Sequence, residues 1–309
     1  MPLFILRRIL QTVPTVIAVV LLIFLMFDVI PGSFSISQEN DLGVDQAVVA
    51  RMRAELGLDD PVHVRFGRYI GNLATLDLGT TFRSRQPVTQ VIGARLGPSL
   101  VLTTVAMLFA IVVGLPLGFV AALRPGSWVD LVTMIGAVSG LSLPKFWLGL
   151  LLMYLFALKL GWLPSFGYGD GGIENLILPA VSLGVSPMAL LARTTRAAVL
   201  EVLNADFVRT ARSKGMSEYR VVSWHVLRNT LVLVLTTIGL QFGGLIGQAV
   251  VVEKLFAWPG IGSLLVDSVF QRDIPAVQGC ILVIVLFFLA INTAVDIAYR
   301  LIDPRIRYA

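Results

Sequence analysis

The chain is poor in the residues from which catalytic and metal sites are usually built. It has one cysteine, Cys280, and two histidines, His63 and His225, among 309 residues. A lone cysteine excludes a disulfide within the chain and leaves the redox compartment open. Neither histidine stands at a ligand-like spacing with acids nearby, so no zinc-type site is expected. There is no G-x-x-x-x-G-K-[ST] run, which excludes ATP binding through a phosphate loop. Charge is scarce too: Asp, Glu, Lys and Arg make up 14%, against about 25% in a soluble domain. An intrinsic enzyme is not expected.

What is abundant is apolar. Hydrophobic residues make up 56% of the chain. Six segments, 9–30, 98–123, 131–158, 177–198, 230–252 and 279–299, are candidates to cross a bilayer, which takes ~20 residues each. The fold class this predicts is an all-α integral membrane protein with six transmembrane helices. The first segment follows Arg7 and Arg8 but exceeds the ~7–15 residues of a secretory core and lacks an A-x-A site, so it reads as an uncleaved span. Pro179 and Pro187 interrupt the fourth segment. Prolines survive in membrane helices where neighbours satisfy the freed carbonyls, so this one reads as a buried helix lining something.

Lys and Arg set the orientation. With a cytosolic N-terminus the inner side carries thirteen of them, seven between Arg193 and Arg228, and the short outer loops carry only Lys159, Lys254 and Arg272. Both termini are therefore expected in the cytosol. The net charge of +5 belongs to this bias, and no nucleic-acid partner is expected. The long first loop, 31–97, holds seven arginines and seven acids. It predicts a small external helical region, with one helix capped by Asp45 (Val48, Val49, Met52, Leu56) and ended by Gly57. A second, with Pro61 as its first residue, carries Phe66, Tyr69, Ile70 and Leu73. This region either meets an external partner or shields the tops of the spans.

Glycines within the spans read as close-packing positions, with Gly243, Gly244 and Gly247 the best example. Two ionisable residues lie inside spans, where they are costly. Asp296, one turn after Asn292, can reach water or Arg300. Lys145 follows Pro144 in a long third span that the proline should loosen. It can attract a solute carboxylate, pair with an acid of a neighbouring subunit, or snorkel outward. Pro144, Lys145, Gln241 and Gln248 are the candidate lining of a solute path.

Between Asn204 and Asn229 a basic, helix-forming stretch hangs on the cytosolic side and is broken by Gly215. Asn204 is the expected N-cap. Phe207, Val208 and Ala211 share a predicted face, opposite Arg209, Arg212 and Ser213. Gly215 suits the left-handed residue that ends a helix. Ser217 can cap a second helix with Glu218 in its first turn.

Arg209-Thr210-Ala211-Arg212-Ser213-Lys214-Gly215, followed by His225-Val226-Leu227-Arg228, resembles the coupling loop of binding-protein-dependent ABC importers. Arg209-Thr210 in place of Glu-Ala, and His225 and Arg228 in place of Ile and Pro, are departures typical of one branch, the permeases of dipeptide, oligopeptide, glutathione and nickel importers. Asp206-Phe207-Val208 and the run to Asn229 fit that branch's pattern. So do Arg7-Arg8, Pro31-Gly32, Leu56-Gly57-Leu58-Asp59, Asp77-Leu78-Gly79, Gly140 to Phe146 and Gly161-Trp162-Leu163-Pro164. Val251-Val252-Glu253, Trp258-Pro259-Gly260-Ile261-Gly262, Arg272-Asp273-Ile274-Pro275 and Asp303 to Tyr308 complete a resemblance that spans the chain.

The resemblance implies the type I importer permease fold and the branch's first-type permease, in a bacterial inner membrane. It parses the chain as 1–30, an external region 31–97, a core 98–303 with the coupling loop at 199–229, and a tail 304–309. The implied partners are a second permease, two ATPases and an external solute-binding protein. ATP and magnesium belong to the ATPases, and this chain binds no cofactor. Asp206, Phe207, Val208, Arg209, Thr210, Ala211, Arg212, Lys214 and Gly215 are implied to dock in an ATPase groove. Trp258, Pro259, Gly260 and Gly262 are implied to form an outer gate or to meet the binding protein. Similarity around the third span leans toward dipeptide or glutathione as solute; a nickel chelate is the alternative within the family. Lys145 departs from the small residue usual after that proline. A stand-alone secondary transporter would need an ion relay or internal repeats. Only Lys145 and Asp296 offer the first, and no repeat is found.

Overall fold

The computed structural model describes residues 2–29, 60–169 and 171–302. Among them the regular elements are helices, plus one antiparallel bridge between Thr80 and Pro87. We number them α1 (Pro2–Val29), α2 (Val62–Ala74), α3 (Val88–Leu123), α4 (Trp128–Ser142), α5 (Lys145–Lys159), α6 (Ile173–Leu203) and α7 (Asp206–Ser213). A turn at Glu218–Arg220 and a π segment at Val221–Val226 lead into α8 (Leu227–Leu255), followed by α9 (Ile261–Phe270) and α10 (Ile274–Ile302). Pro31-Gly32, the helix expected from Asp45 to Gly57, Leu58-Asp59 and the tail from Asp303 lie outside the described residues. So do the side chains of Arg7, Arg8, Asp296 and Arg300.

Five helices, α1, α3, α6, α8 and α10, carry stretches long and apolar enough to cross a membrane. The third expected span is a bent pair: α4 and α5 meet at 108°. The sequence predicts a helix that Pro144 merely loosens, but the structure breaks it. Proline forces its predecessor out of the helical region, and Leu143 is extended (φ −78°, ψ 126°). Pro144 is extended as well (ψ 132°), so the helix must restart, at Lys145. Pro179 and Pro187, by contrast, stay within an unbroken α6. That helix is the most enclosed: 56% of its spanning window is buried, against 17–33% in the four others.

Contacts group the chain into two compact units. The first comprises residues up to Gly97 together with Pro259–Leu286. In it Phe24 of α1 meets Phe66 and Tyr69 of α2 at 5.3 and 5.9 Å between ring centres. Leu73 joins them, whereas Ile70 stays exposed. Pro61 stands one residue before α2 rather than as its first residue. Val88, Ile92, Ile261 and Cys280 form a second small core, and the Phe82 amide donates to Asp273 Oδ2 at 3.0 Å.

The second unit, Pro98–Trp258 with residues from Phe287 on, is organised around α6. Its core includes Leu102 and Ala106 of α3, Leu183 and Leu191 of α6, and Leu245, Ala249 and Val252 of α8. A Cβ at Gly114 would lie 2.5 Å from the Met188 carbonyl oxygen, and one at Gly118 would lie 2.2 Å from that of Ala192. Those separations place two helix backbones almost in contact, the arrangement that G-x-x-x-G spacing permits. The closest glycine packing against backbone is therefore on α3, not at Gly243, Gly244 and Gly247 of α8. There, a Cβ on Gly243 would meet only the Asn292 and Phe288 side chains, at 3.3 and 3.4 Å, and Gly247 is exposed.

Candidate functional site

The cytosolic arm begins where α6 stops. Asn204 keeps near-helical angles (φ −89°, ψ −3°) and its Nδ2 donates to the Leu200 carbonyl at 2.9 Å. It therefore closes α6 instead of capping α7. An N-cap needs extended backbone, and Ala205 supplies it (φ −71°, ψ 147°).

Along α7 the apolar residues divide. Val208 and Ala211 are buried among Ala122 of α3, Val199 and Val202 of α6, and Val221 and Val226. Phe207 faces away from that cluster and is 45% exposed. The predicted three-residue face is thus a two-residue anchor plus an exposed aromatic. Asp206 and Arg209 are exposed beside it, 3.9 Å apart. The arm is fastened to its own spans by one side and presents the other.

The arm ends in a Schellman turn. Gly215 adopts φ +76°, its amide donates to the Arg212 carbonyl at 2.9 Å, and the Met216 amide reaches Ala211 at 3.3 Å. Met216 then packs against the Val208 cluster. Ser217 opens the next turn with extended backbone (φ −61°, ψ 144°), although its hydroxyl caps nothing. Glu218 bends back to Arg212, accepting from Nη2 at 2.6 Å and Nε at 3.1 Å. Those bonds hold the Glu218 carboxyl below its usual range and raise the Arg212 guanidinium above its own.

One ion pair escapes sequence reasoning. Asp130 of α4 takes a two-pronged grip from Arg196 of α6, through Nε and through Nη2 at 2.7 Å, and also accepts from the Gly126 amide at 3.0 Å. Ser127 and Asp130 are spaced as a capping box, and the Asp130 amide donates to Ser127 Oγ at 3.3 Å. That half was legible; the arginine 66 residues away was not.

Among the candidate path residues, Lys145 Nζ of α5 donates to Gln248 Oε1 of α8. Pro144 starts α5 without a side-chain cap. Gln241 lies two turns before Gln248 on the same face of α8.

Of the outer-gate candidates, Trp258 is 2% exposed. Its Nε1 donates to the Pro98 carbonyl at 3.0 Å, and its ring meets Tyr168 edge-on at 4.8 Å. Its amide donates to the Glu253 carbonyl at 2.8 Å, while the buried Glu253 carboxylate accepts from Ser99 at 2.6 Å. Gly260 caps α9 and Gly262 is buried in its first turn; Phe270, at the far end, is exposed. Among the described residues no three His, Cys, Asp or Glu side chains gather as a metal site.

Two solved structures share this fold. Inward-facing conformations of the MetNI methionine ABC transporter match at a TM-score of 0.58 with 19% identity, covering 70% of this chain and 97% of that one. An amino acid ABC transporter matches at 0.53 with 17% identity, covering 71% and 95%. The architecture is thus that of a type I ABC importer permease. A peptide transport system permease protein of Brucella abortus (strain 2308), provisionally so named, is 45% identical over 310 residues, 98% of each chain. The glutathione transport system permease protein GsiC of Salmonella paratyphi A is 44% identical over 305 residues, 99% of each. Residues 1–103 match the family described as binding-protein-dependent transport system membrane component, N-terminal. Residues 114–308 match its companion. The chain belongs to the family of binding-protein-dependent transport system inner membrane components.

Proposed function

We propose that this chain is one of two related permeases forming a path for peptides (dipeptide, oligopeptide or glutathione) across a bacterial inner membrane. Two cytosolic ATPases, which hold the ATP and magnesium, drive it, and an external binding protein delivers the solute. The names of the two relatives support the solute class. A nickel chelate is the alternative. Both termini are cytosolic on this reading, and residues 31–97 lie outside.

The observation that carries it is the division of α7. Val208 and Ala211 hold the arm to α3 and α6, while Asp206, Phe207 and Arg209 face outward. An ATPase that grips the outward side moves a lever whose other side is packed into the spans. Val208 and Ala211 then transmit force; Phe207, Arg209, Thr210 and Lys214 supply the docking surface. Arg212 and Gly215 fix the bend. ATPase closure biases the path between inward-open and outward-open states, a two-state element with one nucleotide-preferred arrangement. Pro259 and α9 out to Phe270 supply the external contact.

Co-purification tests this. The chain is expressed with the ATPases, second permease and binding protein encoded beside it. Phe207→Asp is expected to lose the ATPases while keeping the second permease. Full retention of the ATPases overturns the docking assignment. An absence of neighbouring ATPase genes overturns the whole reading.

A further inference from the structure

Lys145 is a lysine in a membrane span with an unusual partner. Among the described residues its ammonium meets the neutral Gln248 carboxamide and no carboxylate. An intramembrane cation is ordinarily paired with an acid or turned toward a solvated path. Gln248 positions the charge without cancelling it, and among the described residues only one of three ammonium N–H groups is used.

The face of α8 under this lysine is polar for three turns. Thr237, Gln241, Gly244 and Gln248 recur at steps of three and four, so they share a face. None of the four is buried. A stripe of hydroxyl and carboxamides suits a wet path, not lipid tails. The break at Pro144 adds to it: Leu148 makes the first α5 bond, to the Pro144 carbonyl at 3.0 Å, and Pro144 at the N-cap offers no side-chain cap to the amides of Lys145, Phe146 and Trp147. Donors and positive potential therefore collect around Lys145.

Resting on the pathway reading above, the geometry points to Lys145 and Gln248 as the place where the path reads a solute carboxylate, the C-terminal carboxylate of a peptide being the obvious one. The ammonium gives a charge-assisted hydrogen bond, and the Gln248 amide group gives a second donor. One cation with neutral neighbours holds an anion weakly enough to release it, which conduction requires.

The test uses the complete transporter in proteoliposomes with its binding protein. The probes are alanyl-alanine, trialanine and glutathione, and alanyl-alanine amide as the carboxylate-free control, with rates compared at equal binding-protein occupancy. Wild type is expected to move alanyl-alanine about tenfold faster than its amide, the size of one hydrogen bond to a charged group. Lys145→Met should move acid and amide alike, and Lys145→Arg should keep the preference. Gln248→Leu should weaken it. An unchanged acid-to-amide ratio in Lys145→Met overturns this inference alone. If Lys145→Met loses the second permease on purification while Gln248→Leu keeps the full preference, Lys145 is pairing with that subunit and the inference also falls. A wild-type complex that transports none of the three peptides overturns the pathway reading, and this inference with it.

Discussion

Arg212 and Glu218 clasp each other across the Gly215 turn, with two hydrogen bonds of 2.6 and 3.1 Å. Both side chains are well exposed, at 41% and 62%, so solvent screens the pair and limits it to about half a kcal/mol at most. Its effect is local: it closes the angle between α7 and the segment leading to α8.

That pair should respond to acid in one direction. The Glu218 carboxyl is lowered in the folded arm, so its contribution is complete above the ordinary glutamate value. It is lost as pH falls through the lower folded value. At neutral pH the clasp is shut, and Glu218→Gln should imitate acid. Hydrogen exchange of the amides of residues 214–221 should quicken in Glu218→Gln at pH 7, with an unchanged melting midpoint. Equal exchange in both proteins would show that the clasp does not hold the arm.

Gly215 should be sensitive to backbone conformation, not to side-chain size. A Cβ placed there meets nothing within 4 Å, yet φ is +76°. A left-handed L-residue costs roughly 1–2 kcal/mol, less for asparagine and more for β-branched side chains. Solute uptake should fall in the order Asn, Ala, Val, while the protein stays in the membrane. Normal uptake by Gly215→Val would sink the coupling role of this bend.

Gly118 should be intolerant where Gly136 is indifferent. The Gly118 Cβ would meet the Ala192 backbone oxygen at 2.2 Å, and backbone cannot step aside cheaply; at Gly136 there is nothing within 4 Å. Overpacking of this kind costs about 1–3 kcal/mol. Gly136→Ala, on a helix, should be neutral or gain roughly 0.5–1 kcal/mol. Melting midpoints of the detergent-solubilised variants check both, and a Gly118→Ala protein as stable as Gly136→Ala would refute the close approach of α3 and α6.

Arg196 should not be replaceable by lysine. Its planar fork bonds both Asp130 oxygens, which a single ammonium cannot do in the same geometry. Arg196→Lys and Arg196→Met are both expected to lower the melting midpoint, Met more. In the double variant with Asp130→Asn, the second change should cost far less than it does alone. Additive losses would mean that the two residues act independently.

Much of this architecture is written locally. Apolar runs of spanning length are a composition signal, and six appear in order because the bilayer sets their length. The Gly215 turn was equally legible, since only glycine takes positive φ freely. Even the proline at position 144 announces a disturbance, though not its 108° outcome.

Tertiary structure decided what lies far apart in sequence or depends on which helix face a neighbour covers. Helical periodicity places Phe207 beside Val208, but only the packing of α3 and α6 buries one and leaves the other outside. Lys145 and Gln248, 103 residues apart, meet because α5 restarts at an angle against α8. Trp258, which the resemblance places at an outer gate or a binding-protein contact, is buried, and its indole N–H donates to the Pro98 carbonyl 160 residues away. Local physics sets which elements form, through dihedral preference and apolar length. Which side chains meet is fixed by close packing between helices, and no window of one sequence contains both partners.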